Sequence, residues 1–335
     1  MGIIRIRGTI DLAQFWPDGQ SDADTTKILL SVGNDAFQFA PDGKHFTATH
    51  VFNNAVVHGA SRKAVINKNK VTIRLQGIDA PELHYRAGPL PRKNSITDAM
   101  RKKFNQVNSA ERRQHWGETA TVALATHLKH VAVNGVVECE AVSKVDQPSD
   151  LLDTYGRIVA DICIGQQFDH DINEWLATEG WVFPTFYTSM TKEEITTFLD
   201  AAKHGKAKDR VWSKLRGDAS KFDAALQFRR PGALIDEKKD KGPLIMPKLF
   251  RRQVAWQMHR KTGLFKGNLE KFLQANPDEC MLLNDFLDNG VHSAKTRYLH
   301  EFVDGNRFTK KPHELVFKEK PSTVVDANGK PIEHF

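Results

Sequence analysis

The chain has 335 residues, 40% of which are apolar, and a formal net charge of +7 at pH 7. Its length allows one large domain or two ordinary ones, and its apolar fraction is enough for a packed core. The positive charge suits a polyanionic partner such as nucleic acid, although a basic soluble protein without such a partner would carry the same charge. Three cysteines without Cys-x-x-Cys spacing argue against a disulfide framework and against a zinc site.

The N-terminal segment Met1-Gly-Ile-Ile-Arg lacks the long apolar core and the small-residue cleavage site of a signal peptide. No run of about 18 apolar residues occurs in the chain, so we expect no transmembrane helix. We therefore expect a cytoplasmic protein without a membrane partner.

Alternating apolar and β-branched residues predict several short strands in the first half of the chain. The predicted strands are residues 3–11, 26–32, 71–75, 136–142 and 158–164. Apolar spacings of three and four residues predict helices. The predicted helices are residues 116–130, 171–179 and 192–208. This pattern predicts a mainly β or α+β fold, a five-stranded OB-type barrel with packed helices, in which Cys139 and Cys163 are buried strand residues.

Two predicted insertions interrupt this pattern. Residues 33–62 are interpreted as a further hairpin, with turn signals at Gly33-Asn34-Asp35 and Pro41-Asp42-Gly43. Residues 84–115 are strongly basic, with eight lysines and arginines against two acidic residues. The basic residues of this insertion are Arg86, Arg92, Lys93, Arg101, Lys102, Lys103, Arg112 and Arg113.

Beyond residue 216 the composition changes. The segment Glu237–Pro243 is typical of an exposed turn or linker, so we predict a domain over residues 1–216, a linker over 217–247 and a second, mainly helical domain over 248–335. Its predicted helices are residues 248–260, 268–274 and 277–287, followed by a short hairpin around 326–330. Two basic clusters, Lys248/Arg251/Arg252 and His259/Arg260/Lys261, are interpreted as solvated helix faces rather than as nucleic-acid contacts.

The most informative stretch follows the predicted strand 71–75. Arg74, Asp79 and Glu82 lie within nine residues, and Gly77 and Pro81 bend the chain there. One carboxylate can hold a metal ion, a second can activate water, and a guanidinium can bind phosphate. This combination predicts phosphodiester chemistry.

Four motifs in the first two thirds of the chain follow one another in a fixed order. They are Asp22-Ala-Asp24-Thr25, Arg74-Leu-Gln-Gly-Ile-Asp79-Ala-Pro-Glu82, Asp153-Thr-Tyr155-Gly-Arg157 and Asn173-Glu-Trp-Leu-Ala-Thr-Glu-Gly180. Together they resemble the motifs of the staphylococcal nuclease (thermonuclease-like, SNase-like) family over about residues 1–216. Two details depart from that pattern: Ala23 stands where the family has Gly, and Arg210-Val-Trp212 lacks the glycine of the family's Gly-x-Trp.

The resemblance implies an OB-type barrel and a Ca²⁺-dependent endonuclease of the thermonuclease type that acts on DNA, RNA or both, leaving a 5′-hydroxyl and a 3′-phosphate. The implied metal ligands are Asp24, Asp79 and the backbone carbonyl of Ala80, with a secondary role for Asp22. These hard oxygen donors would also accept Mg²⁺, although Ca²⁺ is the expected cofactor. The implied catalytic residues are Glu82 as general base and Arg74 and Arg157 as the clamp on the phosphate.

Further contacts to nucleic acid are expected from aromatic and basic residues. Tyr155 would flank a nucleotide, and Phe186 or Tyr187 would stack on a base. Arg101, Lys102 and Lys103 of the basic insertion would widen the contact to the backbone. The alternative for this insertion is a disordered charged loop.

Two other functions remain open from the sequence. The barrel could be a catalytically idle module that binds nucleic acid or protein, since some members of the family lose the chemistry. Alternatively, the protein could be an adaptor whose functional centre is the C-terminal domain, whose protein partners the sequence does not reveal.

Overall fold

The computed structural model describes residues 1–32, 36–58, 62–91, 93, 95–215, 226–230, 232, 240, 242–305, 307–320 and 322–335. Three sequence features lie outside these ranges: the turn signal Gly33-Asn34-Asp35, Arg92 of the basic insertion, and all of the predicted linker segment Glu237–Pro243 except Asp240, Gly242 and Pro243.

The described ranges contain short strands and helices along their whole length. The strands are β1 Gly2–Asp11, β2 Thr25–Leu30, β3 Phe37–Ala40, β4 Phe46–Thr47, β5 Val56–His58, β6 Arg62–Ala64, β7 Lys70–Leu75, β8 Ile78–Asp79, β9 Val136–Val145, β10 Ile158–Ile164, β11 His170–Asp171, β12 Phe183–Pro184, β13 Phe186–Tyr187, β14 Glu279–Leu282, β15 Arg297–Tyr298, β16 Val303–Asp304, β17 Arg307–Phe308, β18 Leu315–Phe317 and β19 Thr323–Val325. The helices are α1 Thr49–Phe52, α2 Asp98–Val107, α3 Gly117–Lys129, α4 Ile172–Thr178, α5 Lys192–Ala207, α6 Pro247–Lys261, α7 Leu269–Ala275 and α8 Leu283–Ser293.

The chain divides into two compact units that interleave along the sequence. Unit 1 comprises Met1–Ile78, Thr121–Glu179 and Glu319–Phe335, and unit 2 comprises Asp79–Ala120 and Gly180–Lys318. The predicted domain boundaries at residues 216 and 248 do not coincide with this division. These boundaries stay a prediction about which stretches of the chain would fold as separate domains.

Unit 1 contains a closed five-stranded barrel in the order β1-β2-β7-β10-β9 and back to β1. Neighbouring strands are antiparallel except β7 and β10, which run parallel. Closure gives each of these five strands a partner on both sides. The OB-type barrel predicted from the sequence is confirmed, with strand ends that differ from the prediction by a few residues.

Alternation of side chains explains why these segments form the barrel. In β1, Ile4, Ile6 and Ile10 are fully buried, whereas Arg5 and Arg7 lie on the outer face and bind Glu140 of β9. The same period-two pattern runs through β10. Burial on one face therefore sets the register of each strand.

The cysteines are free thiols with different exposures. Cys139 of β9 is buried as predicted, whereas Cys163 of β10 is a strand residue that is only half-buried, so its predicted burial is met in part. Its position is near the end of β10, beside the short strand β11. Burial nevertheless raises the pKa of Cys163 to about 12, which keeps this thiol protonated at neutral pH.

The first insertion forms the predicted hairpin, because β3 and β4 pair across the turn at residues 41–43. Strand β3 also pairs with β1 and so extends the barrel sheet. A second hairpin, β5 and β6, was not predicted; its strand β5 pairs with β19 from the end of the chain. The predicted turn at residues 326–330 is confirmed, since the Asp326 N–H donates to the Lys330 carbonyl at 2.9 Å.

Unit 2 has a core of its own that joins distant parts of the sequence. Phe104 of α2, Phe250 of α6 and Phe317 of β18 are fully buried in it. Leu244, Ile245 and Met246, at the end of the predicted 217–247 linker, are buried as well.

The region after residue 248 is partly helical, not mainly helical as predicted. Strands β13, β18, β14 and β15 form a four-stranded sheet in this order. The predicted helix 277–287 is wrong in its first half, where β14 pairs with β18 before α8 begins. The apolar run Cys280–Leu283 has no helical or strand period of its own, and its neighbour in space decides its conformation. Within the described ranges, every helix is too short or too polar to cross a membrane.

Candidate functional site

The barrel topology of unit 1 gathers three predicted site residues at one end. Arg74 lies at the end of β7, in register with Thr25 of β2 and Val159 of β10. Strand β2 is antiparallel to β7 and therefore begins beside the end of β7. Strand β10 is parallel to β7 but staggered, since its first residue Ile158 pairs with Ile73, so β10 also begins close to this point. Asp24 immediately precedes β2, and Arg157 immediately precedes β10.

Arg74 and Asp24 form a buried ion pair. Arg74 Nη1 lies 3.3 Å from Asp24 Oδ1, and the two residues are only 9% and 8% exposed. The same nitrogen donates to the backbone carbonyls of Asp24 and Leu75, at 3.3 and 3.2 Å. The Thr25 hydroxyl donates to Asp24 Oδ1 at 3.0 Å, and Asp22 Oδ1 accepts from the Asp24 N–H at 3.2 Å. These contacts hold the Asp24 carboxylate in one orientation.

Arg157 is oriented by Asp153. Its Nε donates to Asp153 Oδ2 at 2.7 Å, and its Nη1 donates to the Thr25 hydroxyl at 3.2 Å. Asp153 Oδ1 also accepts from the backbone N–H groups of Tyr155 and Arg157, both at 2.9 Å. Asp153 was not predicted as a site residue, although the motif that contains Tyr155 and Arg157 begins with it.

Tyr155 is the exposed aromatic residue of this group. Its side chain is 65% exposed, and the Arg157 guanidinium carbon lies 5.6 Å from the centre of its ring. The ring is therefore open to solvent on a surface that also carries a guanidinium. A nucleotide base could stack on such a surface.

Asn173 supports this end of the barrel from α4. It is fully buried, and its Nδ2 donates to the carbonyls of Gln76 and Ala160 and to Asp161 Oδ1, at 3.1, 3.2 and 2.8 Å. One amide group thus ties the ends of β7 and β10 together. Its place in the fourth sequence motif was the available signal for this role.

In unit 2 the structure brings Asp79 and Glu82 together. Asp79 is 1% and Ala80 is 3% exposed. Gln114 brackets Glu82: its side-chain Oε1 accepts from the Glu82 N–H at 3.1 Å, and its own N–H donates to the Glu82 carbonyl at 2.7 Å. Gly117 permits this packing, because a Cβ atom there would lie 2.9 Å from the Glu82 carbonyl oxygen.

Arg251, which was not predicted as a site residue, completes this second group. Arg251 of α6 donates from Nη1 to Glu82 Oε1, and its Nη2 lies 3.4 Å from Asp79 Oδ2. One guanidinium therefore binds two carboxylates of unit 2: Glu82, the predicted general base, and Asp79, a predicted metal ligand. No local motif marks Arg251, which is 169 residues away from Glu82 in the sequence.

The interpretation of Lys248, Arg251 and Arg252 as a solvated helix face is wrong. Their side chains are only 18%, 31% and 33% exposed. Arg252 makes two hydrogen bonds to Asp278, both at 2.6 Å, which raise the pKa of its guanidinium further. Lys248 Nζ lies 4.5 Å from the centre of the Phe317 ring, and burial lowers the pKa of Lys248 to about 8. This face of α6 is paired inside unit 2.

The expected nucleic-acid contacts of unit 2 differ in exposure. Phe186 is fully buried in β13, so the expectation that it stacks on a base is corrected. Tyr187 is half-buried, with its ring centre 6.1 Å from that of Phe317. Lys102 and Lys103 are exposed on α2, whereas Arg101 donates to the carbonyls of Leu90 and Pro91.

The alternative of a disordered loop for the basic insertion is wrong over residues 98–107, which form α2. The Thr97 side chain caps the helix by accepting from the Met100 N–H at 3.3 Å. Phe104 anchors it in the core. The lysines are therefore displayed on an ordered helix.

The oxygen atoms of Asp24 in unit 1 and of Asp79 and Glu82 in unit 2 are of the type that binds hard cations such as Ca²⁺. They are carboxylate oxygens, and the Asp79 and Glu82 carboxylates already converge on a positive group, the guanidinium of Arg251. In the part of the chain that the structure describes, no three His, Cys, Asp or Glu side chains gather as a metal cluster. A metal ion would therefore depend on few carboxylates, with backbone carbonyl and water oxygens as its other ligands.

Residues 72–214 match the model of the staphylococcal nuclease homologue family. This stretch of the chain is therefore similar to a domain of that family, and the C-terminal region beyond it matches no family model. The match includes Arg74, Asp79, Glu82 and Arg157, whereas Asp24 precedes it. A comparison with curated proteins found no match. The domain indicates a nuclease-type or nucleic-acid-binding protein.

Proposed function

We propose that the protein is a metal-dependent nuclease that hydrolyses phosphodiester bonds of DNA, RNA or both. The observation that supports this most is the arrangement of Asp24, Arg74 and Arg157 at one end of a barrel whose strands β9 and β10 lie within the match to the staphylococcal nuclease homologue family. A surface salt-bridge network would pair these residues too, but it would not need three residues from separate strands at the same end of the barrel.

The two arginines would bind the phosphate. A guanidinium has five N–H donors in a fixed plane, so Arg157 keeps donors for a ligand after its bonds to Asp153 and Thr25. Its 29% exposure makes it the more accessible of the two. Both arginines would stabilise the negative charge that develops on the phosphate during attack.

Glu82 would act as the general base. It would orient a water molecule and accept its proton as the water attacks phosphorus. Gln114 and the close approach of Gly117 hold the Glu82 backbone, which limits the positions that its carboxylate can adopt. We assign Asp24, Asp79 and the Ala80 carbonyl to Ca²⁺, with Mg²⁺ as the less favoured ion. Bound Ca²⁺ would offset negative charge on the phosphate.

A second candidate function is a catalytically idle module that binds nucleic acid. The ion pairs from Arg251 to both Asp79 and Glu82 favour it, because they engage the groups that catalysis requires. In this case Tyr155 and Arg157 would still offer a binding surface, without cleavage.

Digestion assays test the proposal. Single-stranded DNA, duplex DNA and RNA are incubated with the purified chain in Ca²⁺, in Mg²⁺ and in chelator. We expect Ca²⁺-dependent cleavage, and a loss on the order of a hundredfold or more in Glu82→Gln, because the amide cannot accept the proton. Glu138→Gln is the control, since Glu138 lies exposed on β9 and should leave the rate unchanged. Intact substrates under every condition, together with measurable binding, would instead establish the binding module.

A further inference from the structure

The Asp79–Glu82 pair carries two negative charges in a poorly solvated position of unit 2. The side chains of Asp79 and Glu82 are 1% and 15% exposed. Burial of two carboxylates without a positive partner is costly, because each loses much of its hydration and the two charges repel each other. Such a pair needs a cation at hand.

Arg251 supplies this cation in the structure. It binds both carboxylates through separate nitrogens of one guanidinium. One positive charge shared by two carboxylates leaves a net negative charge on the three groups. A divalent cation would neutralise the pair completely and binds carboxylate oxygens at about 2.3 to 2.6 Å in the case of Ca²⁺.

The next residue of α6, Arg252, differs from Arg251 in how its guanidinium is paired. Arg252 makes two parallel bonds to one carboxylate, that of Asp278. Arg251 instead divides its donors between two carboxylates, and its contact with Asp79 is long at 3.4 Å. The side chain is 31% exposed, so it can rotate toward solvent while α6 stays in place.

We propose that Arg251 is an intramolecular counter-ion that occupies the Asp79–Glu82 pair and competes with a divalent cation for it. Binding of the metal ion requires the Arg251 guanidinium to leave both carboxylates. This inference rests on the proposed function, which assigns Asp79 to the metal ion and Glu82 to the water. It makes helix α6, which lies after the end of the family match at residue 214, a part that sets the metal requirement of the site.

The test compares Arg251→Met with Arg252→Met in the full-length chain. Calorimetric titration with Ca²⁺ alone measures affinity, and thermal unfolding with and without Ca²⁺ measures stability. We expect Arg251→Met to bind Ca²⁺ about tenfold more tightly or better, since the competing charge is gone, and to show a larger rise in Tm with Ca²⁺. We expect Arg252→Met to lower the Tm through the loss of both Arg252 bonds to Asp278, and to leave Ca²⁺ affinity unchanged.

Arg251→Lys is a second variant in case Arg251→Met does not fold. It keeps the positive charge but cannot bind both carboxylates as a guanidinium does. Its Ca²⁺ affinity should lie between those of wild type and Arg251→Met. Equal or weaker Ca²⁺ binding in Arg251→Met would overturn the proposal, as would the same gain in Arg252→Met. Absence of Ca²⁺ binding in all variants would overturn it too.

Cleavage assays on the same preparations separate this outcome from failure of the proposed function. Cleavage by wild type together with an unchanged Ca²⁺ affinity in Arg251→Met would support the nuclease proposal and overturn the competition by Arg251. Tighter Ca²⁺ binding in Arg251→Met, with no cleavage by wild type or any variant, would support the competition and overturn the nuclease proposal.

Discussion

Asp171 is both a helix cap, which favours its charged form, and a largely buried carboxyl, which favours its neutral form. Its carboxylate caps α4 by accepting from the N–H groups of Asn173 and Glu174, at 2.7 and 3.2 Å, which favours the charged form. Burial acts in the opposite direction and is stronger, so that the pKa of Asp171 is raised from its ordinary value to about 6. The folded state therefore holds this proton more tightly than the unfolded chain does.

This raised pKa predicts a pH-dependent stability. Between about pH 4 and pH 6 the folded state binds more protons at Asp171 than the unfolded state, so the free energy of unfolding falls as pH rises through this window. Asp171→Asn keeps a cap oxygen and removes the titration. We expect the variant to match wild type near pH 4 and to be more stable by about 2 kcal/mol at pH 7. Urea unfolding at pH 4, 5, 6 and 7 measures the difference, and a gap that stays constant across these values would contradict the assignment.

At the scale of single residues, resemblance and motif order predicted which side chains to examine, but exposure was not predictable from them. Tyr155 and Phe186 were both expected to contact a nucleotide, yet the first is 65% exposed and the second is fully buried. An aromatic residue in a short apolar segment packs equally well inside a sheet or against a ligand. Only the neighbours of the segment decide between these two places.

At the scale of elements, α2 shows how a basic insertion becomes an ordered surface. Its one fully buried residue, Phe104, belongs to the core of unit 2, and Arg101 ties the helix to the preceding loop. Lys102 and Lys103 are left on the exposed face. Of the three basic residues named from the sequence, these two are the ones with exposed side chains.

Charge reversal tests this surface. We expect Lys102→Glu/Lys103→Glu to weaken nucleic-acid binding and to reduce the slope of log affinity against log salt by about 2 on duplex DNA, since each phosphate contact contributes about 0.9. Lys266→Glu/Lys271→Glu is the matched control, because both lysines are exposed in unit 2 and the net charge changes equally. Fluorescence anisotropy titrations at several salt concentrations provide the slopes. Equal slopes in wild type and Lys102→Glu/Lys103→Glu would show that α2 does not touch the backbone.

At the scale of the whole molecule, the two units share the chain in an interleaved way. Unit 1 needs β19 from the last residues to pair with β5, and unit 2 packs α2 with α6 in one core. Neither unit is contiguous in sequence. A cut near residue 216, where the sequence predicted a domain end, removes parts of both.

A fragment of residues 1–216 should therefore fail to reach the native state. It would leave apolar residues such as Phe104 without their partners from residues 244–317, and loss of one such contact set costs several kcal/mol, comparable to the net stability of a domain. We expect broad, non-cooperative thermal unfolding by circular dichroism and rapid amide exchange in β5. A sharp transition together with full cleavage activity in this fragment would support the predicted boundary instead.

The sequence alone determined the barrel strands, most of the helices and the order of the nuclease motifs, because these depend on local periodicity and on residues a few positions apart. The tertiary structure alone decided that Arg251 meets Glu82, that Leu244–Met246 are core, and that residues 279–282 form a strand. Each of these depends on a partner far away in the sequence, and burial and charge pairing are set by such partners rather than by the local pattern. The motifs therefore predicted which residues carry the candidate chemistry, and the fold decided what surrounds and restrains them.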